Sequence, residues 1–283
     1  MPSSGLSLVG FMDETSAINH LRTTCVPPDP ADAALKAVWQ GAQAKLGVPT
    51  ANAGHPAIAP IPPAQAPHIV SLMQTPWAAQ ALQTTLKGST FQLVEIDPLL
   101  AFQFTVDLDR STHHCRGLSN PPTPDELMTL CLPTALVPEA MQVQPQPQSL
   151  LIKARCLNLK MLAHGFFPQP NGPNAAGVIV GLTLPLVHVV RLNGLCYLHN
   201  GFHRVVGAKL AGATQVPCIV RDVPDEQSVG IKPDGSTFSS VILGSANPPT
   251  LAHFTPARAC DVKLRAHSRI VHVSWAEYVA FDE

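Results

Sequence analysis

Residues 185–221 carry the pattern that most restricts the fold of this chain. Two apolar runs, PLVHVVRL and LCYLHN, flank Asn193-Gly194, and such a dipeptide is the strongest short-range signal for a two-residue hairpin turn. The helix-forming run FHRVVGAKLAG follows and ends at Gly212, and VPCIV is typical of a buried strand. The sequence therefore predicts a strand, a turn, a strand, a helix and a strand in this order.

Residues 1–88 predict a helical region. Asp13 is a candidate N-cap for a helix over DETSAINHLRTT, and Thr75 is one for a helix over TPWAAQALQTTLKG. The segment PADAALKAVWQGAQAKLG places apolar residues at helical spacing. The proline-rich residues 48–70 predict an extended connection between these helices.

Residues 89–225 predict a small mixed sheet with helices, and residues 226–283 a loop-rich extension. TFQLVEI and LAFQFTVDL are strand-like, and Thr123 is the candidate cap of a short helix. The run SLLIKARCLNLKMLAHG predicts a helix ending at Gly165, followed by the loop FFPQPNGPNAAG. RIVHVSW predicts a late strand and WAEYVAF a terminal helix, with Trp275 packed on the core. The fold class predicted for the whole chain is α+β.

Composition restricts the classes of function. Lys and Arg number 18 against 19 Asp and Glu, and a protein that binds nucleic acid along its backbone usually has a basic excess. The seven cysteines are scattered without a Cys-x-x-Cys pair, and no basic stretch followed by an apolar core opens the chain. We therefore expect reduced thiols in a cytoplasmic protein, and no membrane span.

The stretch NGFHR, at the predicted start of the helix, is the clearest candidate site. A helix N-terminus presents unpaired N–H groups and a positive partial charge to anions. A glycine lets the backbone approach a ligand, an arginine offers a planar fork of donors to phosphate oxygens, and a histidine adds a donor. The candidate phosphate-binding residues are Asn200, Gly201, Phe202, His203, Arg204 and Val205.

This unit resembles the ParB/sulfiredoxin superfamily over about residues 185–221. The matching features are Gly201-Phe202-His203-Arg204, the helix VVGAKLAGA and the strand VPCIV. A weaker similarity extends to LVEIDPLLAF, where the family often begins. The resemblance implies a nucleotide phosphate held at the Gly-x-His-Arg box.

Departures from the family pattern narrow the activity that the resemblance implies. Sulfiredoxins have their reactive cysteine, and partition ParB proteins a glutamate, where this chain has Phe202. The sequence also lacks the second phosphate box of the partition proteins and a recognisable helix-turn-helix after residue 225. Sulfiredoxin chemistry and a partition-type DNA clamp are therefore not expected.

Acidic residues upstream are the candidates for catalysis together with His203. Free-serine kinases of the superfamily use an acidic base, and Asp107, Asp109 and Glu95 are the conceivable counterparts here. A carboxylate of the segment DLDR is also a candidate ligand of Mg²⁺ bound with a nucleotide, but the segment favours a loop end with a surface ion pair over that role.

The stretch THHCRG suggests a second hypothesis, a zinc site. It would use ligands from His113, His114, Cys115, Cys131 and His164. Regular ligand spacing is absent, and neighbouring residues of a strand point to opposite faces, so no metal site is predicted.

Two classes of function follow from these residues. The first is an enzyme that cleaves or transfers a phosphoryl group of a bound nucleotide. The second is a module in which nucleotide binding changes the affinity for a protein or DNA partner. Nuclease activity is a third hypothesis, and the lack of an excess of basic residues disfavours it.

Overall fold

The computed structural model describes residues 2–135, 141–154, 159–169, 172–182, 185–232, 234–266 and 268–277. The chain forms two compact units. The first comprises residues 1–135 and 185–265, and the second comprises residues 136–184 and 266–283. Both boundaries expected from the sequence, after residues 88 and 225, fall inside the first unit.

Helices and several small sheets alternate along the chain, as the predicted α+β class requires. The helices of the described residues are α1 (Glu14–Thr24), α2 (Asp32–Ala44), α3 (Ala66–Met73), α4 (Pro76–Gln83), α5 (Leu108–His114), α6 (Pro124–Cys131), α7 (Phe202–Leu210), α8 (Glu226–Val229) and α9 (Ser240–Leu243). The strands are β1 (Ser3–Ser7), β2 (Ile58–Pro60), β3 (Thr90–Glu95), β4 (Thr105–Asp107), β5 (Met141–Gln146), β6 (Ser149–Ala154), β7 (Leu159–Gln169), β8 (Gly172–Leu182), β9 (His188–Leu192), β10 (Leu195–Asn200), β11 (Gln215–Asp222), β12 (Cys260–Leu264) and β13 (Arg269–Ser274). No helix within the described ranges is long and apolar enough to cross a membrane.

A five-stranded sheet with the order β10-β9-β11-β3-β2 forms the centre of the first unit. Strands β9 and β10 pair antiparallel around Asn193-Gly194, and both turn residues have positive φ, as a type I′ turn requires. Helix α7 then crosses from β10 to β11, which lies parallel to β9. The predicted order of strand, turn, strand, helix and strand is confirmed.

A second, three-stranded sheet of the first unit has the order β12-β1-β4. The predicted helices after Asp13 and Thr75 are present as α1 and α4, and the side chain of each cap accepts a hydrogen bond from a first-turn amide. The expectation that this region is helical missed β1. The strand expected over LAFQFTVDL is limited to β4, because Asp107 caps a helix there and ends the extended backbone.

The second unit consists of strands in its described part, with sheets β13-β6-β5 and β7-β8. The helix predicted over residues 149–165 is therefore wrong in its described residues, 149–154 and 159–165, whereas residues 155–158 lie outside the described ranges. Its first residues form β6, because β5 and β13 pair with it on either side and satisfy its main-chain groups. The loop predicted after Gly165 is also wrong in its described residues, 166–169 and 172–177, because they belong to β7 and β8, and residues 170–171 lie outside the described ranges. Local propensity favoured a helix, and strand pairing outweighed it.

The C-terminal prediction is tested only in part. The predicted strand RIVHVSW is present as β13. The helix predicted over WAEYVAF lies largely outside the described residues. Trp275 is 45% exposed, which does not fit the expected anchoring on the core.

Candidate functional site

The candidate site begins where β10 ends and α7 starts. Gly201 is the N-cap residue of α7 and has a φ of 98° in the left-handed region. A Cβ at this position would lie 2.8 Å from Cγ2 of Val187, which no relaxed side-chain contact allows. Both observations restrict this position to glycine. The sequence predicted close approach to a ligand here, and the close approach that the structure shows is to Val187.

Helix α7 has no side-chain cap at its N-terminus. Gly201 contributes only its carbonyl, which accepts a hydrogen bond of 2.9 Å from the amide of Val205. The N-cap residue therefore offers no side chain that could accept a hydrogen bond from the first-turn amides. His203 belongs to the first turn of α7 and is half-buried.

The neighbouring positions of the motif belong to the core. Phe202 is 2% exposed, and its ring makes edge-on contacts with Phe102 and Phe254 at centroid distances of 5.5 and 6.5 Å. Val205 is fully buried. Asn200 is half-buried, and its Nδ2 donates to the carbonyl of Leu186, which ties the end of β10 to the residues before β9.

Arg204 is buried and bound to main-chain carbonyls. Its Nη1 donates to the carbonyl of Leu130 at 3.2 Å and to that of Pro185. Leu130 lies in the last turn of α6, where carbonyls lack partners within the helix and the negative end of the dipole favours a cation. Burial lowers the pKa of the Arg204 guanidinium from its ordinary value.

The carbonyls that follow Leu130 are satisfied from two further elements. The carbonyl of Cys131 accepts from the amide of Val187 at 2.8 Å, and that of Leu132 accepts from Nε2 of His68 at 2.7 Å. Arg204 is thus one of a set of donors that close the C-terminus of α6. The Arg204 guanidinium therefore has a structural role. The residues that remain as the candidate anion site are the first-turn amides and His203.

The structure does not bring Asp107 and Asp109 to the start of α7. The C-terminal end of α5 is the part nearest the start of α7. Sγ of Cys115 contacts the main-chain carbonyl of Arg204, and a Cβ on Gly207, one turn later in α7, would meet both Ser111 and Cys115. Asp107 therefore lies at the far end of α5, about 12 Å along its axis from Cys115 at 1.5 Å per residue.

The carboxylates proposed for catalysis already accept hydrogen bonds from the protein. Asp107 accepts from the amide of Arg110 and from Oγ of Ser3, and Asp109 accepts from the amide of Ser4. Oε2 of Glu95 accepts from the amide of Ala57, which directly precedes the edge strand β2. These contacts cap helix α5 and link separate segments of the chain.

The histidines and cysteines of the zinc reading are dispersed. His113 and His114 are exposed on α5, whereas Cys131 is fully buried in α6. His164 is exposed on β7 of the second unit. Within the described part of the chain, no three side chains of His, Cys, Asp or Glu are grouped as a metal site requires.

A buried histidine pair near the site was missed by the sequence reasoning. His188 is 6% exposed, and its ring meets that of His199 at 5.1 Å. Nε2 of His188 has no hydrogen-bond partner, and burial lowers the pKa of His188 to about 3, with smaller contributions from His199 and Arg221. A two-residue turn at Asn193-Gly194 places positions 188 and 199 opposite each other, so the sequence held part of this signal, but the ladder shifts after Leu198 and pairs His188 with Asn200.

Comparisons of this chain with models of protein families, with curated proteins and with solved structures found no match. The similarity to the ParB/sulfiredoxin superfamily thus stays a prediction from about forty residues.

Proposed function

We propose that this protein binds the phosphate of a nucleotide at the N-terminus of α7, in a unit of ParB/sulfiredoxin type. The observation that carries the proposal is the start of α7 at a left-handed Gly201 without a side-chain cap, directly after the β9–β10 hairpin. Such a helix start favours an anion, and half-buried His203 lies next to it. The amides of Phe202, His203 and Arg204 and the His203 ring form the proposed donor set.

The placement of the acidic residues favours binding without turnover over the enzymatic alternative. Asp107 and Asp109 lie at the far end of α5 and are engaged in hydrogen bonds there. Phosphoryl transfer needs charge neutralisation and positioning at the phosphate itself. We therefore propose a cytoplasmic nucleotide-switched module, which takes Mg²⁺ only as the ion that accompanies the nucleotide and whose bound state is recognised by a protein or DNA partner.

The test measures binding and turnover in the same samples. The purified full chain is titrated with ATP, ADP, CTP, GTP and inorganic phosphate, with and without Mg²⁺, by calorimetry, and the products are analysed after long incubation. We expect binding of at least one nucleotide without release of phosphate. His203→Ala should raise the dissociation constant about tenfold, because a charge-assisted hydrogen-bond donor is lost.

A matched histidine variant separates the site from general effects. His272 is exposed on β13 in the second unit, and His272→Ala should leave the dissociation constant unchanged. Turnover that requires His203 would move the assignment to the enzymatic alternative. The absence of binding by every nucleotide and by phosphate would reject both.

A further inference from the structure

Strand β5 is an open edge of the three-stranded sheet in the second unit. Among the described residues it pairs with β6 on one side only. All six of its residues are exposed, including Met141 at 45% and Val143 at 57%. Exposure of every position means that no described residue of the second unit covers either face of this strand.

The hydrogen-bond pattern of β5 follows from its register with β6. Gln146 pairs with Ser149 across the two-residue turn at 147–148, and hydrogen-bonded pairs alternate with non-hydrogen-bonded pairs in an antiparallel ladder. Met141, Val143 and Pro145 are then the positions whose main-chain groups point away from β6. The location of Pro145 agrees with this assignment, because a proline is tolerated where no ladder donor is needed.

This outer edge is complementary to itself. When two copies of β5 are laid antiparallel about a twofold axis at Val143, Val143 meets Val143 of the other copy and Met141 meets Pro145. On the opposite face Gln142 meets Gln144, whose amides can hydrogen-bond to each other. Apolar side chains therefore meet apolar ones, and amides meet amides, which is the self-complementarity that a twofold interface requires.

The edge also lacks the charges that commonly prevent strand addition. No Lys, Arg, Asp or Glu occurs between Met141 and Ile152. Exposed edges in natural proteins are usually protected by inward-pointing charges, bulges or covering segments. Here Pro145 removes one outward donor, but the amides of Met141 and Val143 and their carbonyls remain directed outward.

We propose that β5 is the contact between two copies of this chain, which pair antiparallel about Val143 and join their three-stranded sheets. Val143 exchanges a pair of main-chain hydrogen bonds with its counterpart, and the amide of Met141 donates to the carbonyl of Pro145 in the other copy. The occupant is a second copy rather than an unrelated protein, because the register that satisfies the main chain is also the one that matches the side chains.

The test is the oligomeric state of the full chain, measured by light scattering after gel filtration and by sedimentation at successive dilutions. We expect a dimer of twice the 30.1 kDa chain mass. Val143→Pro removes the outward amide without removing a bond to β6, and it should raise the dimer dissociation constant at least about tenfold. Val143→Ala keeps the amide and should retain most of the dimer.

A charge pair tests the register independently of the proline. Gln142→Lys combined with Gln144→Lys places like charges opposite each other across the twofold axis and should also dissociate the dimer. Ile270→Lys adds a charge to β13, at the other edge of the same sheet, and should leave it intact. Circular dichroism confirms that each variant is folded.

Hydrogen exchange locates the contact at residue level. The Val143 amide should exchange slowly at concentrations where the dimer forms and rapidly in the Gln142→Lys, Gln144→Lys double variant. A monomer at every concentration would overturn the proposal. So would a dimer that survives both the proline and the double lysine variants.

Discussion

The N-termini of α6 and α7 differ in how the positive end of the helix dipole is compensated. Helix α6 begins with a capping box, in which the Thr123 hydroxyl accepts from the Glu126 amide and the Glu126 carboxylate accepts from the Thr123 amide. Helix α7 begins at Gly201, which contributes no side chain. The positive end of α6 is thus neutralised by a carboxylate of the protein, whereas that of α7 has no such group at its cap.

The difference assigns a role to each helix start. Glu126 also accepts from the amide and the hydroxyl of Ser119, so the first turn of α6 is closed by internal contacts. A ligand anion at α6 would have to compete with that carboxylate. At α7 an anion would supply the negative charge that the sequence omits, and this is the physical basis for the proposed phosphate site.

Removal of the Arg204 side chain should have the largest effect on stability. Arg204→Ala leaves the carbonyls of Leu130 and Pro185 without their donor and opens a cavity between α6 and α7. We expect a loss of about 3 kcal/mol in the free energy of unfolding, measured by urea denaturation.

The surface arginine Arg191 provides the control for this variant. It forms a two-point ion pair with Asp222 and is 44% exposed, so Arg191→Ala should cost less than about 1 kcal/mol. Unchanged stability of Arg204→Ala, together with lost nucleotide binding, would show that Arg204 contacts the ligand instead of closing α6.

Gly201→Ala should have the second largest effect. The left-handed φ costs an alanine roughly 1–2 kcal/mol, and the contact of its Cβ with Val187 adds to that cost. We expect thermal denaturation at a lower temperature than in the wild type. Gly41→Ala is the matched control, because Gly41 lies within α2 with no atom near its Cβ position, and it should stabilise by about 0.5–1 kcal/mol. Equal effects of both substitutions would contradict the assigned backbone strain.

Thr123→Ala should have a smaller effect, confined to α6. Loss of the cap hydroxyl should reduce the free energy of unfolding by about 1 kcal/mol. Hydrogen exchange should accelerate in the first turn of α6 and not in that of α7, whose cap uses no side chain. Faster exchange at both helix starts would argue against their independent capping.

The smallest effect is a pH dependence at the start of α6, which the start of α7 should not show because Gly201 contributes no carboxylate. Hydrogen bonds from Ser119 and Thr123 lower the pKa of Glu126 to about 2 from its ordinary value of 4.5. A carboxyl whose folded pKa is depressed stabilises the fold above its unfolded pKa, and this contribution is lost as the pH falls from about 4.5 towards 2. Glu126→Gln should remove this component from the pH profile. A pKa of Glu126 near 4.5 by NMR titration would contradict the capping geometry.

The sequence predicted those parts of the molecule whose determinants are local. The hairpin at Asn193-Gly194, the helix after it and the cap at Thr123 each depend on a few adjacent residues, and each is present. The role of Arg204 depends on Leu130 and Pro185, which are 74 and 19 positions away, so no local pattern could show it.

The errors in the second unit have the same cause. Residues 149–154 have helical propensity, but their conformation is set by pairing with β13, more than a hundred residues later in the chain. The sequence contains Asn171-Gly172, a dipeptide typical of hairpin turns, but Gly172 already belongs to the ladder of β8, where it pairs with Gln169 of β7. Its flanking residues, rich in Pro, Ala and Asn, concealed the strands because they lack the β-branched character of β9 and β10.

The most direct test of the central claim is a titration of the labelled protein with inorganic phosphate, followed by the amide resonances of both helix starts in NMR spectra. We expect saturable shifts of the Phe202, His203 and Arg204 amides in α7, and none of the Asp125 and Glu126 amides in α6. Absence of saturable shifts at α7, or equal shifts at both helices, would contradict an anion site at the uncapped start of α7.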